Sequence, residues 1–194
     1  MTDRQGILRT PVSEQDHSSG PPDAPVTLVE YGDFQCPYCF QAHPIVMALQ
    51  DQLGDALRFV FRNFPISELH PYAQKAAEAA ESVAARAGAD AYWVMHHAIY
   101  EHQKDAPDAL DQQHLVQYAT TAGADAVQTT RDLEQGAFAE KVREDFLSGV
   151  HSGVNGTPTF FINGERYDGD WTNLAEFEDA LRRAGTATAG RSRA

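Results

Sequence analysis

The chain contains two cysteines, and both lie in the six-residue stretch FQCPYC, as Cys36 and Cys39. Proline is favoured at the first position of an α-helix, where its missing N–H costs nothing, so Pro37 predicts a helix that begins directly after Cys36. Cys36 is then the N-cap and Cys39 the third helical residue, and both sulfur atoms lie on the first turn. Two thiols placed in this way can exchange disulfides, because Cys39 lies within reach of a mixed disulfide formed at Cys36.

The start of a helix favours a thiolate at Cys36, because unpaired backbone N–H groups and the positive end of the helix dipole stabilise an anion there. We therefore interpret Cys36 as the nucleophile and Cys39 as the resolving cysteine. Pro37 and Tyr38 lie between them and tune the stability of the thiolate. The redox-active disulfide Cys36–Cys39 is then the redox group, and we expect no separate cofactor and no metal.

The alternative to redox chemistry is one half of a zinc site, to which His43 could add a third ligand. Zinc needs about four ligands, and the sequence has no second cysteine pair, so the motif favours disulfide exchange. Two further functions stay open beside exchange with protein substrates. One is glutathione-type exchange with a low-molecular-weight thiol, and the other is non-catalytic redox sensing or peptide binding.

The overall charge narrows the range of partners. Fifteen Lys and Arg residues against 28 Asp and Glu residues give a net charge of −13, which opposes binding to phosphate backbones and to anionic lipids. No apolar run approaches the roughly 20 residues that span a bilayer, and the N-terminus lacks the apolar core of a secretory signal. We expect a cytoplasmic monomer that acts on protein or peptide thiols and disulfides and binds neither nucleic acid nor membrane.

Alternating signals along the chain predict an α/β protein with a long helical block. Apolar β-branched runs predict buried strands, three- and four-residue apolar spacings predict helices, and Asn163-Gly164 predicts a type I′ turn between two antiparallel strands. The predicted order is a strand at 26–31, a helix at 37–53 that ends at Gly54, a strand at 57–64, four or five helices within 70–152, a hairpin with strands at 159–162 and 165–167, and a helix capped by Asn173.

Three features together resemble the DsbA-like branch of the thioredoxin superfamily. These are the CPYC motif at the start of the first helix, Pro44 within that helix, and the stretch GVNGTPTFF. The resemblance implies a thioredoxin-like fold, with a central mixed β-sheet flanked by helices, and an inserted all-α domain. The implied parts are an N-terminal arm at 1–25, thioredoxin-fold segments at 26–66 and 154–185, a helical insertion at 67–153 and a flexible tail at 186–194.

The resemblance also implies further site residues. Pro158 corresponds to the cis-proline that lies against the disulfide in this family, and the backbone of Thr157 would pair with an extended substrate. Glu30 corresponds to a buried acid beneath the active site, which can relay a proton for Cys39. The junction RNFPISELHP borders the substrate groove in relatives, which makes Phe64, Pro65 and His70 candidates for substrate binding.

The dipeptide between the cysteines departs from the prototype of this branch. Pro37-Tyr38 is typical of glutaredoxins, whereas the DsbA prototype has proline and histidine. Loss of a partly charged histidine removes one interaction that favours the thiolate. We therefore expect a reduction potential between about −270 mV, as in thioredoxin, and about −120 mV, as in DsbA. Because the N-terminus shows no secretory signal, we expect reduction of protein disulfides rather than oxidation of secreted proteins.

Overall fold

The structure is a computed structural model that describes residues 6–191. Helices and strands follow in the order β1 (His17–Ser19), β2 (Val26–Gly32), α1 (Pro37–Leu53), β3 (Leu57–Asn63), α2 (Ala73–Ala87), α3 (Ala89–His102), α4 (Gln112–Thr121), α5 (Ala126–Gln135), α6 (Ala139–His151), β4 (Thr159–Ile162), β5 (Glu165–Tyr167) and α7 (Leu174–Arg191). A short 3₁₀ turn (Gly54–Ala56) joins α1 to β3. In the described residues no helix combines the length and the apolar character that crossing a membrane requires.

The chain divides into two compact units. The sheet unit contains the residues up to Gly32, Gln41–Arg62, and the residues from Ser148 onward. The helical unit contains Asn63–Leu147 together with the short segment Asp33–Phe40. The segment that carries both cysteines therefore belongs to the helical unit.

The sheet unit contains a mixed five-stranded sheet with the order β1-β3-β2-β4-β5. Strands β2 and β3 are almost continuously buried, as expected for apolar β-branched runs inside a sheet. Strand β4 pairs antiparallel with both β2 and β5. Asn163 and Gly164 at the tip of the hairpin both have positive φ, at 49° and 84°, as a type I′ turn requires, so the predicted hairpin is confirmed.

The predicted N-terminal arm is part of the sheet unit, so the prediction of a loosely held arm is wrong for the described residues from Gly6 onward. Strand β1 pairs antiparallel with β3. The buried guanidinium of Arg62 donates to both oxygens of the Asp16 carboxylate, at 2.7 and 3.0 Å, and to the carbonyls of Thr10 and Pro11, at 2.9 and 3.1 Å. A buried guanidinium needs acceptors, and the arm supplies them.

The predicted tail is also wrong in part, because α7 continues to Arg191 and only 192–194 lie outside the described residues. The helix lies so close to β2 that a Cβ on Gly185 would be 2.9 Å from Cγ2 of Val26. Ala184 and Ala187 have high helix propensity, which offsets the cost of the glycine. Close packing on the strand therefore extends a helix for which the sequence gives a weak signal.

The helical unit buries carboxylates that are held by donors from several helices. Asp132 on α5 accepts from Arg86 of α2 at 3.0 and 2.9 Å, and from Ser82 at 2.8 Å. At the end of β3, Asn63 donates from Nδ2 to Glu81 at 2.7 Å and to Asp145 at 3.1 Å. These polar clusters fix α2, α5 and α6 within the unit.

Replacing Arg62 by methionine will test the network that holds the arm. The change removes the donors while the Asp16 carboxylate stays buried, and breaking a buried ion pair in this way costs about 3 kcal/mol or more. Urea denaturation should show that loss of unfolding free energy. The matched control is Arg143→Met, which breaks an exposed pair with Glu140 and should leave stability almost unchanged. Equal stability of the two variants would contradict the assigned role of Arg62.

Replacing Asp145 by asparagine will test the cost of a buried charge. Burial is the largest influence on the Asp145 carboxyl and raises its pKa, although Lys141 opposes the shift. A raised pKa in the folded state means that Asp145 contributes most to stability at low pH, and that this contribution falls as the pH rises from the unfolded-state pKa, about 4, through the folded-state value.

The unfolding free energy of D145N should therefore improve relative to the parent protein as the pH rises from 4 to 7. Urea denaturation across this range measures the difference. Asp179→Asn, at an exposed position, is the control and should show no such trend. A D145N difference that is constant with pH would contradict the raised pKa.

Candidate active site

The cysteine pair lies at the start of α1, as the sequence predicts. Helix α1 begins at Pro37, the Cys36 N–H donates to the carbonyl of Asp33 at 3.1 Å, and the Cys36 carbonyl accepts from Phe40 N–H at 3.1 Å. Cys36 is therefore the N-cap, and Cys39 lies three residues on in the first turn.

The two cysteines differ in exposure. Cys36 is 4% exposed and Cys39 is fully buried. Pro37 and Tyr38 between them are exposed, and the Tyr38 side chain is 59% accessible. The first turn of α1 contains no acidic residue, so no adjacent helical carboxylate opposes a thiolate there. A partner can therefore approach at Tyr38 and reach Cys36 more readily than Cys39.

Asp33 links the two cysteines through its backbone. Its carbonyl accepts from Cys36 N–H, and its own N–H donates to Sγ of Cys39 at 3.4 Å. A hydrogen bond from an N–H group is stronger to a thiolate than to a thiol, because the acceptor is then charged. This hydrogen bond therefore offsets part of the cost of a negative charge on the fully buried Cys39 sulfur.

The Asp33 side chain is buried and accepts three hydrogen bonds. Its Oδ1 accepts from Gln35 N–H at 2.8 Å. Its Oδ2 accepts from Ile66 N–H at 2.8 Å and lies 2.8 Å from Nδ1 of His70. Sequence reasoning missed Asp33, although an acid placed directly after a buried strand and three residues before a cysteine is a usable signal. A carboxylate at such a position needs donors or becomes too costly to bury.

Gln103, the residue after α3, binds the turn that residues 33–36 form before α1. Its Nε2 donates to the carbonyls of Phe34 at 2.7 Å and Cys36 at 3.1 Å. The Tyr72 N–H donates to the Gln35 side chain at 2.7 Å. No local pattern identifies Gln103, because the contact joins residues that are far apart in the chain. Side chains and backbone of the helical unit thus fix the turn from 33 to 36.

Phe34 anchors the turn in an aromatic cluster of the helical unit. Its ring lies 5.4 Å from the ring of His96 and 5.3 Å from that of Tyr100, measured between centroids. His96 in turn contacts Trp93 at 5.1 Å, edge to face. Offset and edge-to-face pairs of this kind stabilise a fixed arrangement of the rings. The residue two positions before Cys36 is therefore held in the core of the helical unit.

Two of the residues predicted to bind substrate are buried. Phe64 is 4% exposed and stacks on Phe146, with 4.4 Å between ring centroids, and Pro65 is buried beside it. Phe64 and Pro65 therefore pack inside the helical unit, and their contact with a substrate stays a prediction. His70, from the same junction, is partly exposed and contacts Asp33 instead.

Three further predicted residues belong to the sheet unit. Glu30 is 3% exposed and lies opposite Phe160 of β4, so its burial agrees with the expectation. Thr157 and Pro158 directly precede β4 and are joined by a cis peptide bond. The roles of Glu30, Thr157 and Pro158 beside the cysteines stay predictions from the resemblance.

A zinc site at the two cysteines would need further ligand side chains close to them. Among the residues that the structure describes, no group of three or more ligand side chains with mutually close ligand atoms includes either cysteine. A zinc site needs about four such ligands. The absence of a metal therefore stays a prediction from the sequence.

The curated proteins to which this chain is similar are much longer than the chain. The Na(+)/H(+) antiporter NhaA 1 of Salinispora arenicola is 40% identical over 187 residues, which are 96% of this chain and 27% of that protein. The chain thus spans about a quarter of the length of the curated relatives that it matches.

Solved structures share the fold at low sequence identity. BdbD from Bacillus subtilis, in its oxidised form, is 23% identical with a TM-score of 0.83, and the match covers 94% of this chain and 99% of that one. The thiol-disulfide exchange protein alpha-DsbA2 from Wolbachia pipientis is 21% identical with a TM-score of 0.71, covering 87% and 88%. A family model described as thioredoxin matches residues 12–182. The chain therefore belongs to the thioredoxin family and has the fold of its DsbA-like members.

Proposed function

We propose that the protein is a thiol:disulfide oxidoreductase that exchanges disulfides with protein substrates. The observation that carries this proposal is the asymmetric thiol pair on the first turn of α1. Cys36 is the N-cap and is slightly accessible, whereas Cys39 is buried and accepts a hydrogen bond from Asp33 N–H. Cys36 is then the attacking cysteine and Cys39 the resolving one.

The first step forms a mixed disulfide. The Cys36 thiolate attacks one sulfur of a substrate disulfide, the S–S bond of the substrate breaks, and a new bond joins Cys36 to the substrate. The leaving sulfur departs as a thiolate and takes up a proton. The start of α1 supports this step, because its N–H groups and dipole stabilise the attacking thiolate.

The second step resolves the mixed disulfide. Cys39 loses its proton and attacks Sγ of Cys36, which forms the Cys36–Cys39 disulfide and releases the second substrate thiol. Two electrons pass from the cysteine pair to the substrate, and the reverse sequence oxidises a substrate dithiol. The hydrogen bond from Asp33 N–H favours the thiolate form of Cys39 that this step needs.

Residues of the sheet unit are proposed to accept a proton and to bind the substrate. Glu30, buried in β2, is proposed to take the proton that Cys39 loses, as the family resemblance implies. The backbone of Thr157, with Pro158 after it, is proposed to pair with an extended segment of the substrate. The exposed Tyr38 ring, in the CPYC motif, offers an apolar surface to a substrate that approaches Cys36.

Names of related proteins support exchange with thiols or disulfides. The Wolbachia neighbour is described as a thiol-disulfide exchange protein, and MdbA from Corynebacterium diphtheriae, another structural neighbour, is described as a thiol-disulfide oxidoreductase. Reduction as the net direction, a cytoplasmic location and a monomeric state stay predictions. The antiporter names of the curated relatives add a membrane transporter to the partners worth testing.

Serine substitutions of the two cysteines will test the proposed roles. Cys36→Ser removes the nucleophile, so thiol release from a model protein disulfide in the presence of dithiothreitol should fall to the uncatalysed rate. Cys39→Ser removes the resolving thiol, so turnover should fall at least tenfold while a mixed disulfide with the substrate accumulates at Cys36. Intact-mass measurement detects the adduct, and thermal unfolding checks that both variants are folded.

The result for C39S separates the alternatives. A C39S variant that still turns over a glutathionylated substrate would replace the dithiol route by glutathione-type exchange. Stoichiometric oxidation of the parent protein without turnover would instead indicate a redox sensor. Full activity in C36S would contradict the assignment of Cys36 as the nucleophile.

A further inference from the structure

We infer that His70 is a positioning residue for the redox pair. It binds the side chain of Asp33, and the backbone of Asp33 contacts both cysteines. This inference rests on the proposed disulfide exchange and adds to it a residue that acts through another residue. The sequence predicts substrate contact for His70, and the structure adds a contact with Asp33.

The contact between His70 and Asp33 is short and shielded from solvent. Nδ1 of the imidazole lies 2.8 Å from Oδ2 of Asp33, and the exposed fractions of the two side chains are 17% and 0%. The other two groups that donate to this carboxylate are the backbone N–H groups of Gln35 and Ile66. His70 thus supplies a side-chain partner to a carboxylate that is costly to bury without donors.

Asp33 carries the effect to both cysteines. Its N–H donates to Sγ of Cys39 at 3.4 Å, and its carbonyl accepts from Cys36 N–H at 3.1 Å. A rotation of Asp33 about its backbone would therefore move the donor away from the Cys39 sulfur and loosen the entry into α1. His70 resists that rotation, because its hydrogen bond fixes the side-chain end of the same residue.

The charge of the Asp33 carboxylate also affects the stability of the reduced cysteine pair. A buried carboxylate close to a thiol pair disfavours a thiolate, and a hydrogen bond from an imidazole N–H draws part of that negative charge away from the sulfur atoms. The hydrogen bond from Asp33 N–H is also stronger to a thiolate than to a disulfide sulfur. Both effects stabilise the reduced pair, so loss of His70 should favour the disulfide.

The test measures the equilibrium between the reduced and oxidised pair in glutathione buffers, with no substrate present. In His70→Ala the equilibrium constant should shift at least tenfold towards the disulfide, which corresponds to a potential about 30 mV lower. His70→Asn should restore most of the parent value, because its side-chain amide can donate from a position close to that of Nδ1. If H70A does not fold, His70→Phe keeps a ring of similar size without the donor and replaces it.

A matched control variant exists in the same unit. His114 contacts Asp111 through Nδ1 at 2.9 Å, at the start of α4, and His114→Ala should leave the equilibrium unchanged. An unchanged equilibrium in H70A, or a shift of the same size in H114A, would overturn the inference. If H70A raises the KM for a protein substrate and leaves the redox equilibrium unchanged, His70 binds substrate and does not position the redox pair.

Failure of the proposed function gives a different result. If the parent protein forms no Cys36–Cys39 disulfide in any buffer, disulfide exchange itself is overturned and the inference falls with it. A normal disulfide in the parent protein, combined with no shift in H70A, overturns the role of His70 alone.

Discussion

Burial of the Asp33 carboxylate is the constraint on which the redox centre depends. A carboxylate without solvent has to be met by donors, and here the donors come from Gln35, Ile66 and His70. Satisfying them fixes the turn before α1, and that turn places Cys36 at the N-cap and an N–H group on the Cys39 sulfur. The chemistry of two thiols thus depends on the hydrogen bonds of one acid that takes no part in the exchange.

The helical unit builds much of this turn. His70, Tyr72 and Gln103 all lie between 63 and 147, and each contacts the segment that carries the cysteines. A thioredoxin fold without an insertion would have to stabilise the same segment with other residues. The insertion therefore has a role in the active site in addition to any role in substrate binding, and changes within it can alter the redox properties of the pair.

Local signals explain which features could be predicted from the sequence. Pro37, Gly54 and Asn163-Gly164 act within a few residues of themselves, and the helix and the hairpin that they predict are present. The family resemblance supplied the fold and the cis peptide bond before Pro158, neither of which follows from local propensity. The resemblance also predicted that Glu30 is buried, which the structure confirms, whereas its role stays a prediction.

Long-range contacts explain what could not be predicted. The ordered arm depends on Arg62, which lies 46 residues from Asp16, and the clamp on the turn joins Gln103 to Phe34 across 69 residues. Neither contact leaves a pattern in the local sequence. Phe64 and Pro65 pack inside the helical unit, and the sequence alone does not distinguish an apolar junction residue that packs in the core from one that lines a groove.

A redox titration of the parent protein shows whether Cys36 and Cys39 form an intramolecular disulfide. Equilibration in graded glutathione and dithiothreitol buffers, followed by a mass tag on the remaining thiols, gives the oxidised fraction of Cys36 and Cys39. We predict one two-electron transition to an intramolecular disulfide, with a midpoint between about −270 and −120 mV. Two thiols that stay tagged in every buffer, or that oxidise only between chains, would contradict it.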